Sequence, residues 1–382
     1  MRGLYIHIPF CKTRCHYCNF VTTAEHSADL RERFFKALSA EIKHACEHAG
    51  SLLFDTLYLG GGTPSGLSIP ELKRLVEEVR GTFEFKNGYE FTCEFNPGDG
   101  DETKLRALRE LGVNRISLGC QSFQDTILQR LGRRYTVRNI VETVEKIRRT
   151  GISNISFDLM LRLPGQTVED FRNSVRECIG LKASQVSLYD LEVHEETPFG
   201  QFQKEGKLDL PSEEDHARMY ESAIEMLTGA GYEHYEISNF AKPGLASRHN
   251  LIYWHNQEYL GLGPGAFTYL NGIRSQFAPD LKRYLEKSEV ADWKNDIEDK
   301  LSEEEKETET LVTGLRLCEG VALASFPKIY PALQKRFKML CADGLMEIFG
   351  ERVSLTSRGK FLSEDVFASL LEKDKDSRGT LL

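Results

Sequence analysis

The sequence predicts an α/β chain built on a parallel sheet, followed by a smaller α+β domain of winged-helix-like type. Two patterns carry this. Through roughly the first 200 residues, short β-rich runs alternate with amphipathic helical stretches. After residue 310, helices are followed by a hairpin pattern. The length, 382 residues, allows two or three domains at about 150 residues each.

The strand candidates are LYIHI at 4–8, TLYLG at 56–60, YEFTCEF at 89–95, RISLGC at 115–120, NISFDLML at 154–161 and QVSLYDL at 185–191. Helix-patterned segments lie between them at 29–49, 69–83, 101–112, 136–150 and 167–181. Near-continuously apolar runs separated by helices call for parallel strands joined by right-handed crossovers. Such units build either an incomplete barrel or a doubly wound sheet, and periodicity does not choose. Residues 200–295 are less regular, with a helix near 212–230 and then a segment rich in aromatics, Asn and Gly. The charged stretch KNDIEDKLSEEEKETE at 294–309 reads as a solvated helix start or linker, with Ser302 and Glu305 as a capping box. GLMEIFGERVSLTS at 344–357 reads as a hairpin.

Composition sets the class. Hydrophobic residues make up 40% and charged residues 28%, which excludes a disordered chain or a collagen. A net charge of −9 argues against nucleic-acid binding through bulk charge. No run of about 18 apolar residues is present, so no spanning helix is expected. MRGLYIHIPFCK lacks the pattern of an export signal, which implies a reducing, cytoplasmic setting. There, nine cysteines are not a disulfide framework.

Cys11, Cys15 and Cys18 form C-x3-C-x2-C directly after the first strand. Three thiolates in one loop select an iron–sulfur cluster, zinc or copper(I). Zinc would need a fourth ligand, for which His7 and His16 are candidates. A cubane normally takes four cysteines, so three would leave one iron open to a cofactor or substrate. Cys93 and Cys120 fall inside strands and read as small core residues.

HIPFCKTRCHYCNF, residues 7–20, resembles the signature of radical S-adenosylmethionine (SAM) proteins related to oxygen-independent coproporphyrinogen III oxidase. The resemblance implies an incomplete (β/α)6 barrel over residues 1–230 with a [4Fe–4S] cluster at its C-terminal mouth. Cys11, Cys15 and Cys18 would hold the cluster and SAM would chelate the fourth iron. An electron from the cluster would cleave the sulfonium to a 5′-deoxyadenosyl radical. Gly60-Gly61-Gly62-Thr63-Pro64 follows the second strand, where glycines let backbone groups approach a ligand. In the family this motif, here Gly61, Gly62 and Thr63, contacts the methionine part of SAM. The resemblance also assigns Tyr5, Glu94, Gln121, Arg133 and Asp158 to SAM.

Two features resemble the heme-chaperone branch (HemW type) rather than the oxidases. Phe20 stands where the oxidases carry a further cysteine, and the chain starts three residues before its first strand, without their long N-terminal extension. A third is His249-Asn250-Leu251-Ile252-Tyr253-Trp254, which matches the branch's HNxxYW motif. It lies in a connecting segment, 231–295, and marks His249 as a candidate heme ligand, with His255 as a second. LVTGLRLCEGV at 311–321 resembles the start of the family's C-terminal domain, here 296–382. Lys335, Arg336 and Lys338 on one of its helices read as a solvated face. Three positions depart from the relatives. Leu161-Arg162 replaces Tyr-Gly before LPGQT, Phe267 replaces a His after GPGA, and His194 replaces a Glu before TPF.

The expected function is therefore heme binding and transfer to hemoproteins. Heme, heme donors and heme acceptors are the expected partners, with room for a homodimer and for peripheral membrane contact. The alternatives are a coproporphyrinogen oxidase, another radical SAM enzyme and a structural zinc protein.

Overall fold

A computed structural model describes residues 1–50 and 52–372. The first part lays down six parallel strands in chain order: β1 (Gly3–Ile8), β2 (Leu53–Gly61), β3 (Glu84–Phe95), β4 (Arg115–Gln121), β5 (Asn154–Leu161) and β6 (Gln185–Asp190). The intervening helices are α1 (Ala28–Ala49), α2 (Ile69–Thr82), α3 (Glu102–Glu110), α4 (Asp125–Arg130), α5 (Val137–Arg149) and α6 (Val168–Gly180). Then follow α7 (Pro198–Lys204), α8 (Glu213–Gly229), β7 (Glu233–Glu236), β8 (Asn239–Ala241) and α9 (Arg248–Trp254). After these come β9 (Tyr259–Leu262), β10 (Phe267–Leu270), β11 (Ile273–Gln276), α10 (Leu281–Glu289) and β12 (Ile297–Lys300).

The strands form one sheet ordered β12-β11-β10-β9-β1-β2-β3-β4-β5-β6-β8-β7. Its β1–β6 stretch curls into an incomplete (β/α)6 barrel, so of the two sheet architectures open in the sequence the barrel is the one formed. The ends of the order do not pair, which leaves the barrel open.

Local chemistry starts the helices where the chain must turn. Ser68, Thr136 and Thr167 each cap a helix N-terminus in a reciprocal capping box with Glu71, Asn139 and Asp170. Each cap contributes about 1 kcal/mol by satisfying otherwise orphaned N–H groups. Helix α5 then buries Ile140, Val144 and Ile147, one face at i, i+4, i+7.

The strands are less uniformly apolar than their composition suggests. Ile116, Leu118, Ile155, Phe157, Val186 and Leu188 are buried at 2% exposure or less. The alternating positions carry Ser117, Ser156, Asp158, Gln185 and Ser187; Ser117 bonds Asp158 and Ser156 bonds Ser187 across strands, and Gln185 bonds Ser187 along β6. Side chains alternate faces along a strand. One face of the sheet is therefore apolar, while the other is lined by small polar groups.

The charged stretch at 294–309 divides. Ile297–Lys300 is an edge strand paired antiparallel with β11. Its side chains are exposed, and an edge strand needs only backbone pairing on one side, so charge does not prevent it. Helix α11 (Glu303–Gly314) begins with the Ser302–Glu305 capping box.

Beyond α11 lie β13 (Val321–Ala322), α12 (Tyr330–Ala342), β14 (Met346–Phe349), β15 (Arg352–Leu355), α13 (Ser357–Phe361) and α14 (Ser363–Leu371). The hairpin β14–β15 gains β13 as a third strand, giving the α+β winged-helix-like domain. Its own core includes Leu311, Leu315, Phe326, Phe337, Val353 and Val366.

The chain divides into two compact units. One comprises Met1–His234, Ser238–Ile252 and Gln257–Lys300; the other comprises Tyr235–Ile237, Tyr253–Asn256 and the residues from Leu301 on.

Candidate cofactor site

Cys11, Cys15 and Cys18 lie on the loop that leaves the C-terminal end of β1. Backbone bonds fold this loop back on the barrel: Gly62 N–H to Ile8 C=O at 2.8 Å and Thr23 N–H to Pro9 C=O at 2.7 Å. His26 Nε2 donates to the Cys11 carbonyl at 2.8 Å. His7 supports the loop from below. Its Nε2 lies 2.8 Å from the Val21 carbonyl, which can only accept, so Nε2 carries the proton. Burial lowers the His7 pKa, so its ring is neutral and Nδ1 accepts from Tyr5 O–H at 3.1 Å. Both His7 nitrogens are thus engaged, and neither is left for a zinc ion. His16 Nδ1 likewise donates to the Arg130 carbonyl at 2.9 Å.

Cys11 is buried and its Sγ accepts from Thr63 Oγ1 at 3.4 Å. Burial pushes the Cys11 thiol up to about 11 and raises Cys15 as well, a tendency that a bound iron would reverse. Among the described residues, no three His, Cys, Asp or Glu side chains gather as a single metal ion would require. Three thiolates on one zinc stand only about 3.8 Å apart, given Zn–S bonds near 2.3 Å. A cubane gives each thiolate its own iron.

The Gly-rich turn meets this loop. A Cβ at Gly62 would stand 3.0 Å from Cys11 Sγ and 2.9 Å from the Phe10 carbonyl. Only glycine permits that approach. Gly61, at φ +110°, would place a Cβ 2.6 Å from the His7 ring. Its N–H donates to Glu94 Oε2 at 3.1 Å, and Tyr58 O–H donates to Glu94 Oε1 at 3.0 Å. Burial, aided by the nearby Asp158 carboxylate, pushes Glu94 up to about 8. Burial likewise pushes Asp158 up to about 6, against hydrogen bonds from Ser117 and Ser187.

Arg133 enters from the loop between α4 and α5. It donates to Asn96 Oδ1 at 3.0 Å and to Tyr17 of the cysteine loop. Its guanidinium lies 5.7 Å from the ring centres of both Tyr17 and Tyr135. Arg133 Nε is buried without a hydrogen-bond partner. Gln121 ends β4 at φ +63° beyond a register shift. A Cβ on Gly119 would meet Asn96 Oδ1 at 3.0 Å and Gln121 Nε2 at 3.1 Å. The two amides therefore share the space left by that glycine, beside Arg133.

Loop, glycine turn, Glu94, Gln121, Arg133 and Asp158 thus occupy the inner and C-terminal parts of neighbouring strands and their loops. This is the face where α/β barrels bind ligands. A cluster and SAM fit these residues: the thiols are soft donors, the glycines form a cradle, and Arg133 keeps a spare buried donor.

His249 lies elsewhere. Its ring is 1% exposed, with Nδ1 2.6 Å from Thr56 Oγ1. Thr56 pairs with Gly3 at the start of β1, and Gly3 to Ile8 spans about 16 Å at ~3.3 Å per residue. The ring expected to face heme iron therefore sits in the barrel floor. Its neighbours are Tyr58 and Tyr5, at 4.9 and 6.5 Å between ring centres. Burial pushes its pKa down to about 3. Trp254, from the same motif, belongs to the second unit and lies under the Arg316 guanidinium at 4.4 Å.

The departures also have places. Arg162 sits at φ +60°, a backbone conformation that favours the glycine the resemblance implies there, and pairs with Glu213. His194 pairs with Glu192, and Phe267 and Phe20 are exposed.

The radical SAM superfamily matches residues 5–178, and the HemN C-terminal domain matches residues 301–362. The heme chaperone HemW of Bacillus subtilis is 36% identical over 97% of this chain and 99% of its own. The heme chaperone HemW of Lactococcus lactis is 35% identical over 97% of both chains. The chain belongs to the HemW family of radical SAM proteins. Family membership at this level implies a [4Fe–4S] cluster and SAM as its cofactors. The fold is shared with Escherichia coli coproporphyrinogen III oxidase (HemN), at TM-score 0.85 and 22% identity over 97% of this chain and 89% of that one. Among the described residues, no helix is long and apolar enough to cross a membrane.

Sequence reasoning passed over Tyr17, Thr56, Tyr58, Asn96 and Ser117. For Thr56, Tyr58 and Ser117 a signal was available, because polar residues recur at alternate positions of β2–β6 and mark a lined interior; Tyr17 and Asn96 lie in loops, where no such period operates.

Proposed function

We propose that this chain is a cytoplasmic heme chaperone that holds a [4Fe–4S] cluster and SAM and passes heme to acceptor proteins. One observation carries this reading. The chain aligns almost end to end with curated heme chaperones, and its cysteine loop and glycine turn meet at one end of the barrel. Cys11, Cys15 and Cys18 would hold the cluster, which when bound supplies an electron to SAM. Gly61, Gly62 and Thr63 would carry the amino-acid end of SAM. Glu94 and Asp158 would accept from its donor groups, Arg133 and Gln121 would donate, and Tyr5 would line the site. Cys11 is sealed by Thr63 and the cradle, while the two later cysteines are less buried.

Heme ligation by His249 requires the first turn of α9 to leave the floor, because Thr56 and the two tyrosines enclose the ring. The deciding experiment is an anaerobic heme titration of the reconstituted protein with SAM present, repeated on His249→Ala. Saturable binding near one heme per chain, followed by transfer to an apo-hemoprotein, is expected. Absence of specific binding would overturn the chaperone reading. Unchanged affinity and spectrum in His249→Ala would move the axial ligand elsewhere.

A further inference from the structure

We propose that Tyr58, backed by His249, is a positioning residue that fixes Glu94 for SAM, resting on the SAM site proposed above. A continuous column of contacts runs from the floor to the mouth. At its base Glu90 accepts from the backbone N–H groups of Arg248 and His249, at 3.2 and 3.1 Å. This fixes the first turn of α9. Thr56 then fixes the His249 ring at 2.6 Å, and Gly3 leaves it room, since a Cβ there would meet Cε1 at 3.0 Å. On the His249 ring lies Tyr58, with 4.9 Å between ring centres and 30° between planes. Tyr5 flanks Tyr58 at 5.9 Å.

The Tyr58 hydroxyl is the top of the column and donates to Glu94 Oε1 at 3.0 Å. Gly61 N–H takes the other oxygen. With one donor on each oxygen, the carboxylate cannot turn, and its remaining lone pairs are presented at a fixed angle. Gly60 keeps the column clear. A Cβ there would stand 2.8 Å from Tyr58, 2.9 Å from Tyr5 and 3.1 Å from Glu94 Oε1. The motif histidine thus reaches the cofactor site through an aromatic ring and a carboxylate.

The column has an electrostatic consequence. The groups bearing on Glu94 are the Asp158 carboxylate, which favours its protonation, and the Tyr58 and Gly61 donors, which favour its ionised form. Removing the hydroxyl leaves the carboxylate both loose and harder to ionise. A donor-rich or cationic part of SAM then loses its acceptor as pH falls, and loses it at a higher pH than in the wild type.

The test is equilibrium binding of SAM to the anaerobically reconstituted full-length protein between pH 6.5 and 9.5. Wild type, Tyr58→Phe and His249→Asn are compared, with iron and sulfide content measured for each. Tyr58→Phe is expected to bind about tenfold more weakly near pH 7.5, the scale of one hydrogen bond to a charged group. Its affinity should fall off at a higher pH, with the cluster unchanged. His249→Asn keeps a partner for Thr56 but removes the ring, and should weaken SAM about threefold. Unchanged affinity in Tyr58→Phe, or a loss equal at every pH, would overturn the proposal. A His249→Asn variant that lost heme but not SAM would remove His249 from the column. A wild type that binds no SAM would sink the cofactor reading itself, so the wild-type curve separates the two failures.

Discussion

The two ends of the barrel use the same residue types in opposite ways. At the floor, Arg115 is 1% exposed, donates to Asn154 and to the Leu245 carbonyl, and lies 4.0 Å from Glu90. Glu90 in turn caps α9, and Gln185 accepts from Ser247 N–H. Charges there close a hole. At the mouth, Glu94 and Asp158 are held in forms harder to ionise, Arg133 keeps a buried N–H without a partner, and Gln121 and Arg162 adopt left-handed backbone. Such features cost stability and persist where something else is gained from them. Burial of polar groups alone therefore does not identify a site. Both ends are polar and buried, and each keeps an unpartnered guanidinium N–H, on Arg115 at the floor and on Arg133 at the mouth. The mouth differs in also bringing together the cysteine loop, the glycine turn and two carboxyls held in forms harder to ionise.

This contrast predicts that changes at the mouth chiefly remove ligands, whereas changes at the floor chiefly cost stability and reach the ligand only weakly. The largest effect should come from Cys15→Ala, which is expected to abolish the cluster; retained iron and acid-labile sulfide would refute the ligand assignment. Arg133→Met should follow, reducing SAM affinity by roughly 30- to 100-fold through loss of charge-assisted donors. An unaltered binding isotherm would remove Arg133 from the site. At the floor, His249→Ala should lower stability by about 2–3 kcal/mol, because it leaves a cavity and strips the Thr56 hydroxyl of its partner. A urea midpoint equal to the wild type's would erase the distinction between the two ends. The smallest effect is expected at Arg162→Gly. Relief of a left-handed backbone should gain about 1 kcal/mol, and the partly exposed pair with Glu213 offsets little of it. A lower midpoint would show that the ion pair outweighs the strain.

Much of the mouth is legible in the sequence because its parts are local. Cys11, Cys15 and Cys18 share one loop, and Gly60 to Thr63 form one turn, so spacing alone brings each group together. Glu94, Gln121 and Asp158 are legible as polar residues within or ending their strands. The floor is not legible. Arg115, Glu90, Thr56 and His249 come from four distant elements, and nothing near any of them in the chain names its partners. The same holds for the edge strand at Ile297–Lys300, whose charged composition reads as solvent-exposed chain until a neighbouring strand supplies the backbone bonds.

The sequence by itself determined the parallel α/β core, the capped helices, the cysteine loop and the glycine cradle. Each of these depends on periodicity or on groups a few residues apart. Only the tertiary structure decided where the HNxxYW histidine goes. A histidine beside aromatic residues is equally a metal ligand or a core group as far as the chain can show. What separates them is whether Thr56, Tyr58 and Gly3, all more than 190 residues away, close over the ring. Long-range packing sets solvent access, and solvent access sets whether a nitrogen can bind iron.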